Sequence, residues 1–195
     1  LPGVYRTNVG YAGGEKARPS YWSLGDHTET VRVEFDPKQI SYAELLDIFW
    51  EAHDPAYNTS NRQYRNAIFY LNDEQKQQAE QSRDAIAAEL NRAVRTHIEA
   101  AGKYTPAEDY HQKYYLRQSK RLLAELQKIY PDPQQLVAST AAARINGYLG
   151  CNGSVEQLQA EMGALGLSWP SQQQLADHLS SSCSQFRGFT CPAPK

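Results

Sequence analysis

Residues 104–116 read Tyr-Thr-Pro-Ala-Glu-Asp-Tyr-His-Gln-Lys-Tyr-Tyr-Leu, placing two carboxylates, a histidine and four tyrosines in one short stretch. Pro106 suits a first helical position, and Glu108 and Asp109 suit a first turn, where acidic groups meet the positive end of the helix dipole. The pattern predicts a helix from Pro106 to Tyr130, stopped by Pro131-Asp132-Pro133. In such a helix Tyr110 lies over Tyr114 and His111 over Tyr115, a polar aromatic face. Alone, that face also fits amphipathic side chains at a core edge with their tips in water.

Working towards the N-terminus, strands and helices alternate. Positions 4–11 form an extended segment ending in the turn Gly-Tyr-Ala-Gly-Gly (10–14). Thr30 to Phe35 alternates apolar and polar as a half-buried strand, with Glu29 at its mouth and Asp36-Pro37 closing it. Ser41 and Glu44 make a capping box for a helix whose apolar face is Leu45, Leu46, Ile48, Phe49 and Ala52. Strands are expected over 64–71 and 93–98, with a polar helix between them from the Asn72 cap to about Arg92. This alternation predicts an α/β (α+β) domain of two layers, a mixed sheet with helices.

Beyond Pro133 the chain reads as an all-helical extension, with helices over 134–149, 154–165 and 171–179 and a Gly-rich loop at 150–153. From Ser180 on, Ser, Gly and Pro predict a mobile tail. The expected organisation is 1–131, a helical 132–182, and a Cys-containing tail 183–195.

The chain of 195 residues carries a net charge of -2, with its basic residues scattered, which predicts no nucleic-acid partner. It has no apolar run of membrane-spanning length, so no membrane partner is expected either. Cys151, Cys183 and Cys191 all fall near the C-terminus; an odd number without dense spacing argues against a disulfide scaffold and suits a reducing, cytoplasmic setting. No metal is expected, since His178, Cys183 and Cys191 lack a fourth ligand at recognisable spacing.

Two further segments match 104–116 in character: Pro-Ser-Tyr-Trp-Ser-Leu-Gly-Asp-His-Thr-Glu (19–29) and Gln63-Tyr64-Arg65. With Leu-Pro-Gly-Val (1–4), Gly-Tyr-Ala-Gly-Gly, His-Asp-Pro (53–55) and Ala-Glu-Asp-Tyr-His-Gln (107–112), the ordered set resembles the A-type peptide methionine sulfoxide reductases. The resemblance implies a ferredoxin-like sandwich and reduction of the S-epimer of methionine sulfoxide, in proteins or free. A thiolate attacks the sulfur while an acid protonates the oxygen; a second cysteine resolves the sulfenic acid, and thioredoxin or another dithiol reduces the resulting disulfide. No organic cofactor or metal is implied, and a monomer is expected.

By the same resemblance Glu29 is the proton donor, which requires burial to keep its carboxyl protonated. Tyr21 and Tyr64 bind the sulfoxide oxygen, while Glu108, Asp109, His111, Tyr114 and Trp22 shape or order the pocket. His27 and His53 are given structural roles. Cys151, Cys191 and Cys183 are the candidate resolving thiols.

Departures from the family pattern set further expectations. The nucleophile motif Gly-Cys-Phe-Trp-Gly precedes Leu-Pro-Gly-Val in the family, so the nucleophile, cysteine or selenocysteine, is expected upstream of Leu1. The family's Gly-Asn-Asp loop is replaced between His53 and Tyr64 by a shorter one, in which Asn58 and Asn61 are the candidates to stand in. The alternative reading is a binding homologue without turnover that keeps Glu29, Tyr21 and Tyr64. A third is a thiol redox protein acting through Cys183 and Cys191.

Overall fold

The computed structural model describes residues 1–183. Of the tail expected over 183–195, residues 184–195, Cys191 among them, lie outside the described residues. In chain order the elements are β1 (Val4–Ala12), β2 (Thr28–Phe35), α1 (Tyr42–Glu51), β3 (Ala67–Tyr70), α2 (Asp73–Leu90), β4 (His97–Ala100) and β5 (Thr105–Pro106). The helices α3 (Tyr114–Gln118), α4 (Lys120–Ile129), α5 (Pro133–Ala138), α6 (Thr140–Leu149), α7 (Val155–Glu161) and α8 (Trp169–Asp177) follow. The class is mixed α+β with a helical C-terminal region, as expected.

One sheet has the order β2-β1-β5, with β5 antiparallel to β1. The other pairs β3 with β4 in parallel, from Ala67 opposite His97 to Tyr70 opposite Ala100. Parallel neighbours need a crossover, and α2 supplies it. The described residues divide into two compact units, one of Val9–Arg32 and Asp36–Glu108, the other of Leu1–Asn8, Val33–Phe35 and 109–183.

In the first unit, Leu46 and Trp50 of α1 pack with Ile68 of β3 and Ala79 of α2. The capping box at Ser41 and the Asn72 cap both form as the sequence predicts. A smaller cluster joins Tyr11, Leu24 and Ala107.

The second unit is built on aliphatic residues at helical spacing. Leu122 and Leu126 of α4, Ala142 and Ile145 of α6, Leu158 of α7 and Leu175 of α8 have no exposed surface. Ser139 divides the helix expected over 134–149, because its hydroxyl accepts from the Ala142 amide at 3.1 Å and starts α6 anew. Glu125 of α4 serves the start of α8: its carboxylate accepts from the Ser168 amide at 2.8 Å and from the hydroxyls of Ser168 and Ser171 at 2.6 and 2.7 Å. These bonds satisfy donors that a helix start leaves open, and they hold the Glu125 carboxyl down at about 2. Ser180–Ser182, expected in the mobile tail, instead continue from α8 as part of a π-helical turn, His178–Ser182.

The helix predicted from Pro106 does not start there. Gly10 stands opposite Pro106, and the Ala107 amide donates to the Val9 carbonyl at 3.0 Å, so the chain extends the sheet. Tertiary pairing, with burial of Ala107, outweighs the local signal. Helix begins only after Lys113, in the left-handed region at φ 53°, and breaks again at Ser119. Residues 106–113 thus lack the helix that would set neighbours four apart; Tyr110 meets His111 and Tyr114 meets Tyr115, at centroid distances of 4.1 and 5.5 Å.

Candidate functional site

Within the first unit, Glu29, Gln63, Tyr64 and Tyr21 form one chain of hydrogen bonds. The period of two along β2 buries Thr28 and turns Glu29 outward. The Gln63 side-chain amide donates to Glu29 Oε1 at 2.7 Å and to the Tyr64 hydroxyl at 3.1 Å. The Tyr64 and Tyr21 hydroxyls stand 3.4 Å apart. Gln63 and Tyr64 belong to a single 3₁₀ turn, Arg62–Tyr64, whose start is capped by Asn61 accepting from the Gln63 amide at 3.0 Å. Asn58 braces the loop before it, donating to the carbonyls of Asn66 and Arg95 at 3.1 and 2.8 Å and accepting from the Asn66 amide at 2.9 Å. Both asparagines are thus occupied with backbone.

Tyr21 is held from its backbone as well. Its amide donates to Glu108 Oε1 at 3.1 Å, and the buried Tyr11 hydroxyl donates to the other oxygen of the same carboxylate at 2.6 Å. Glu108, expected at a helix start, instead reaches a strand and a loop because β5 directs it there. Trp22 meets Tyr21 edge-on at 5.1 Å and is 87% exposed.

A part-buried ion pair braces these groups. Arg65 donates through both terminal nitrogens to the two oxygens of Glu99, each at 2.7 Å, and through Nε to the Thr28 hydroxyl at 2.9 Å. That hydroxyl donates in turn to the Arg62 carbonyl at 3.0 Å. Thr28 therefore ties the start of β2 to the turn carrying Gln63 and Tyr64. Arg65 holds the Glu99 carboxyl below its ordinary range. The hydrogen bond with Tyr21, aided by burial and the Glu29 charge, pushes the Tyr64 phenol up to about 12, so it keeps its proton at neutral pH. A carboxyl group and two phenols in one hydrogen-bonded chain can grip an oxygen and move a proton to it.

The burial expected for Glu29 is not found; the residue is exposed. His27 and His53 have the structural places expected of them. His27 is 1% exposed and donates to the Lys16 carbonyl at 2.9 Å. His53 lies between the Phe49 carbonyl and the Thr96 hydroxyl, and burial lowers its pKa.

Asp109, His111 and Tyr114 belong to the second unit. Asp109 and Tyr114 are exposed, and His111 is half-buried against Tyr110. Next to them, buried Lys113 donates to the carbonyl and hydroxyl of Thr7, and burial lowers its pKa to about 8. Cys151 and Cys183, expected as free thiols, are joined in a disulfide across a sequence separation of 32. Spacing alone did not reveal the pair because it forms by the folding of α6 to α8. The same two cysteines and His178 are the group of ligand-type side chains, among the described residues, close enough to hold an ion. With the sulfurs bonded to each other, neither is available to a metal.

Sequence reasoning missed Gln63, Arg65, Glu99 and Tyr11. Three of these lie inside quoted motifs, Gln63-Tyr64-Arg65 and Gly-Tyr-Ala-Gly-Gly, which was the available signal. Glu99 had none.

A family model described as peptide methionine sulfoxide reductase matches residues 1–142, and one described as the helical domain of selenoprotein methionine sulfoxide reductase A matches residues 132–176. The chain is 42% identical over 176 residues to a peptide methionine sulfoxide reductase of Drosophila melanogaster, covering 88% of this chain and 69% of that protein. It is 44% identical over 154 residues to peptide methionine sulfoxide reductase A5 of Oryza sativa subsp. japonica, covering 76% and 60%. Among solved structures it resembles Mxr1 of Saccharomyces cerevisiae in reduced form, with TM-score 0.54, 28% identity and coverage of 58% of this chain and 71% of that one. It also resembles methionine sulfoxide reductase A of Corynebacterium diphtheriae, with TM-score 0.52, 34% identity and coverage of 62% and 66%. The chain spans 60% to 69% of the length of these two curated relatives.

Proposed function

We infer, since this chain belongs to the peptide methionine sulfoxide reductase family, that it reduces the S-epimer of methionine sulfoxide, free or in proteins. The observation that carries this reading is the hydrogen-bonded chain Glu29–Gln63–Tyr64–Tyr21. The two phenols donate to the sulfoxide oxygen, and Glu29, fixed at Oε1 by Gln63, supplies the proton. Exposed as it stands, Glu29 acts as an acid only when bound substrate displaces water from it.

The nucleophile, a thiolate or selenolate, is assigned to sequence preceding Leu1. Its attack on the sulfur breaks the sulfur–oxygen bond, releases methionine and leaves the oxygen on the nucleophile as a sulfenic or selenenic acid. A cysteine of this chain then displaces that oxygen as water, and thioredoxin or another dithiol returns the enzyme to its reduced state. Cys151 and Cys183 are assigned to this regeneration; no prosthetic group takes part.

The test uses the chain extended to include the nucleophile, with dithiothreitol and each sulfoxide epimer in turn. Turnover of the S-epimer alone is expected, and Glu29→Gln should lower kcat by about a hundredfold or more, the usual contribution of a positioned acid. A folded, extended protein inactive on the S-epimer overturns the reading.

A further inference from the structure

We propose that His178 handles the proton when an external dithiol exchanges with the Cys151–Cys183 disulfide. The proposal takes from the reading above only that the reductant is a dithiol. An imidazole nitrogen of His178 and both sulfurs lie within 4.8 Å of one another, and all three residues are half-buried, so the bond is neither sealed in the core nor loose in solvent.

Two local departures from regular backbone bring the three together. His178 opens the π-helical turn His178–Ser182, and Cys183 caps it. In an α-helix a residue five positions on has turned well away; the wider π turn returns it near the first, and such turns recur at functional sites. Cys151 sits in the left-handed region at φ 61°, which residues other than glycine seldom adopt. The histidine is also oriented. Its Nε2 lies 3.0 Å from the Leu149 carbonyl, which can only accept, so Nε2 carries the hydrogen and Nδ1 is the atom that takes up and returns a proton. Leu149 lies two residues before Cys151, so the ring is tied to the segment that carries one sulfur.

The step balances as follows. A thiolate of the dithiol attacks one sulfur, the S–S bond breaks, and its electron pair leaves on the other sulfur. A thiol leaves faster when its negative charge is neutralised, and a proton from the His178 imidazolium, one nitrogen of which lies within 4.8 Å of both sulfurs, does this. The neutral imidazole then removes the proton from the second thiol of the dithiol, which attacks the mixed disulfide. The first cysteine is expelled as a thiolate and is protonated by water. Two electrons pass from the dithiol, now a disulfide, to the cysteine pair.

The experiment follows reduction of the oxidised full chain by dithiothreitol, quenched by alkylation and read by mass, with no sulfoxide present. His178→Gln retains an amide donor for the Leu149 carbonyl but cannot shuttle a proton. Its second-order rate constant should fall about tenfold to a hundredfold, at or below the low end of general-acid effects. His178→Ala should fall as far and recover in part when imidazole is added to the buffer. A wild-type rate in His178→Gln, or no recovery of His178→Ala with imidazole, overturns the proposal. Because the assay contains no sulfoxide, failure of the extended protein on methionine sulfoxide would refute the reductase reading and leave this result standing.

Discussion

Glu99→Gln tests whether the part-buried Arg65–Glu99 ion pair organises the site. Arg65 is 8% exposed, and its guanidinium places three N–H groups on Glu99 and the Thr28 hydroxyl. Removing one partner of a buried pair costs about 3–5 kcal/mol, since the remaining charge stays desolvated. The Glu99 side chain is 33% exposed, so water screens part of this, and about 2 kcal/mol is the expected loss. Urea unfolding measures it: at a slope of about 2 kcal/mol per molar, the midpoint should fall by about 1 M. Arg65→Met in the Glu99→Gln background removes the stranded charge, and the double variant should be more stable than the summed single effects by about 1 kcal/mol. The pH dependence has a fixed sign. The Glu99 carboxyl is held below its ordinary value of 4.5, so its contribution is complete above that value and is lost as the pH falls through the folded-state value. Glu99→Gln should lack that slope. A midpoint within error of wild type, or additive single effects, would refute the reasoning.

Three further outcomes are expected. Glu125, held down at about 2 against an unfolded value of 4.5, stabilises fully above 4.5 and loses its contribution as the pH falls towards 2; Glu125→Gln should cost about 1 kcal/mol at pH 7 after discounting for solvent screening, less at pH 3, by thermal melts at both. Leu126→Ala empties a fully buried position of the helical core and should cost about 3 kcal/mol in urea. Tyr42 carries a buried hydroxyl without a hydrogen-bond partner, so Tyr42→Phe should be neutral or stabilising by about 1 kcal/mol; a clear loss in the same assay would show that the hydroxyl is bonded in solution.

Where sequence reading succeeded, the governing forces were local. The Ser41–Glu44 and Ser154–Gln157 capping boxes form within three residues, and Thr30 to Phe35 lies in a strand as expected, although its burial does not alternate, since Val31 is exposed and Glu34 half-buried. Three residues of the quoted motifs, Tyr21, Glu29 and Tyr64, do meet in one hydrogen-bonded chain, but the Gln63 amide that links Glu29 to Tyr64 and the Arg65 guanidinium that braces Thr28 carry no local signal of those contacts.

By itself, then, the sequence determined the helical caps and most of the strands. Tertiary structure alone decided that Pro106 and Ala107 pair with β1 instead of opening a helix, that Glu108 holds Tyr11 and Tyr21, and that Cys151 meets Cys183. The reason is the distance along the chain. Propensity and capping act over a turn or two, whereas Glu108 lies 97 residues from Tyr11 and Cys183 lies 32 from Cys151, and no local preference encodes which distant partner will satisfy a carboxylate or a thiol.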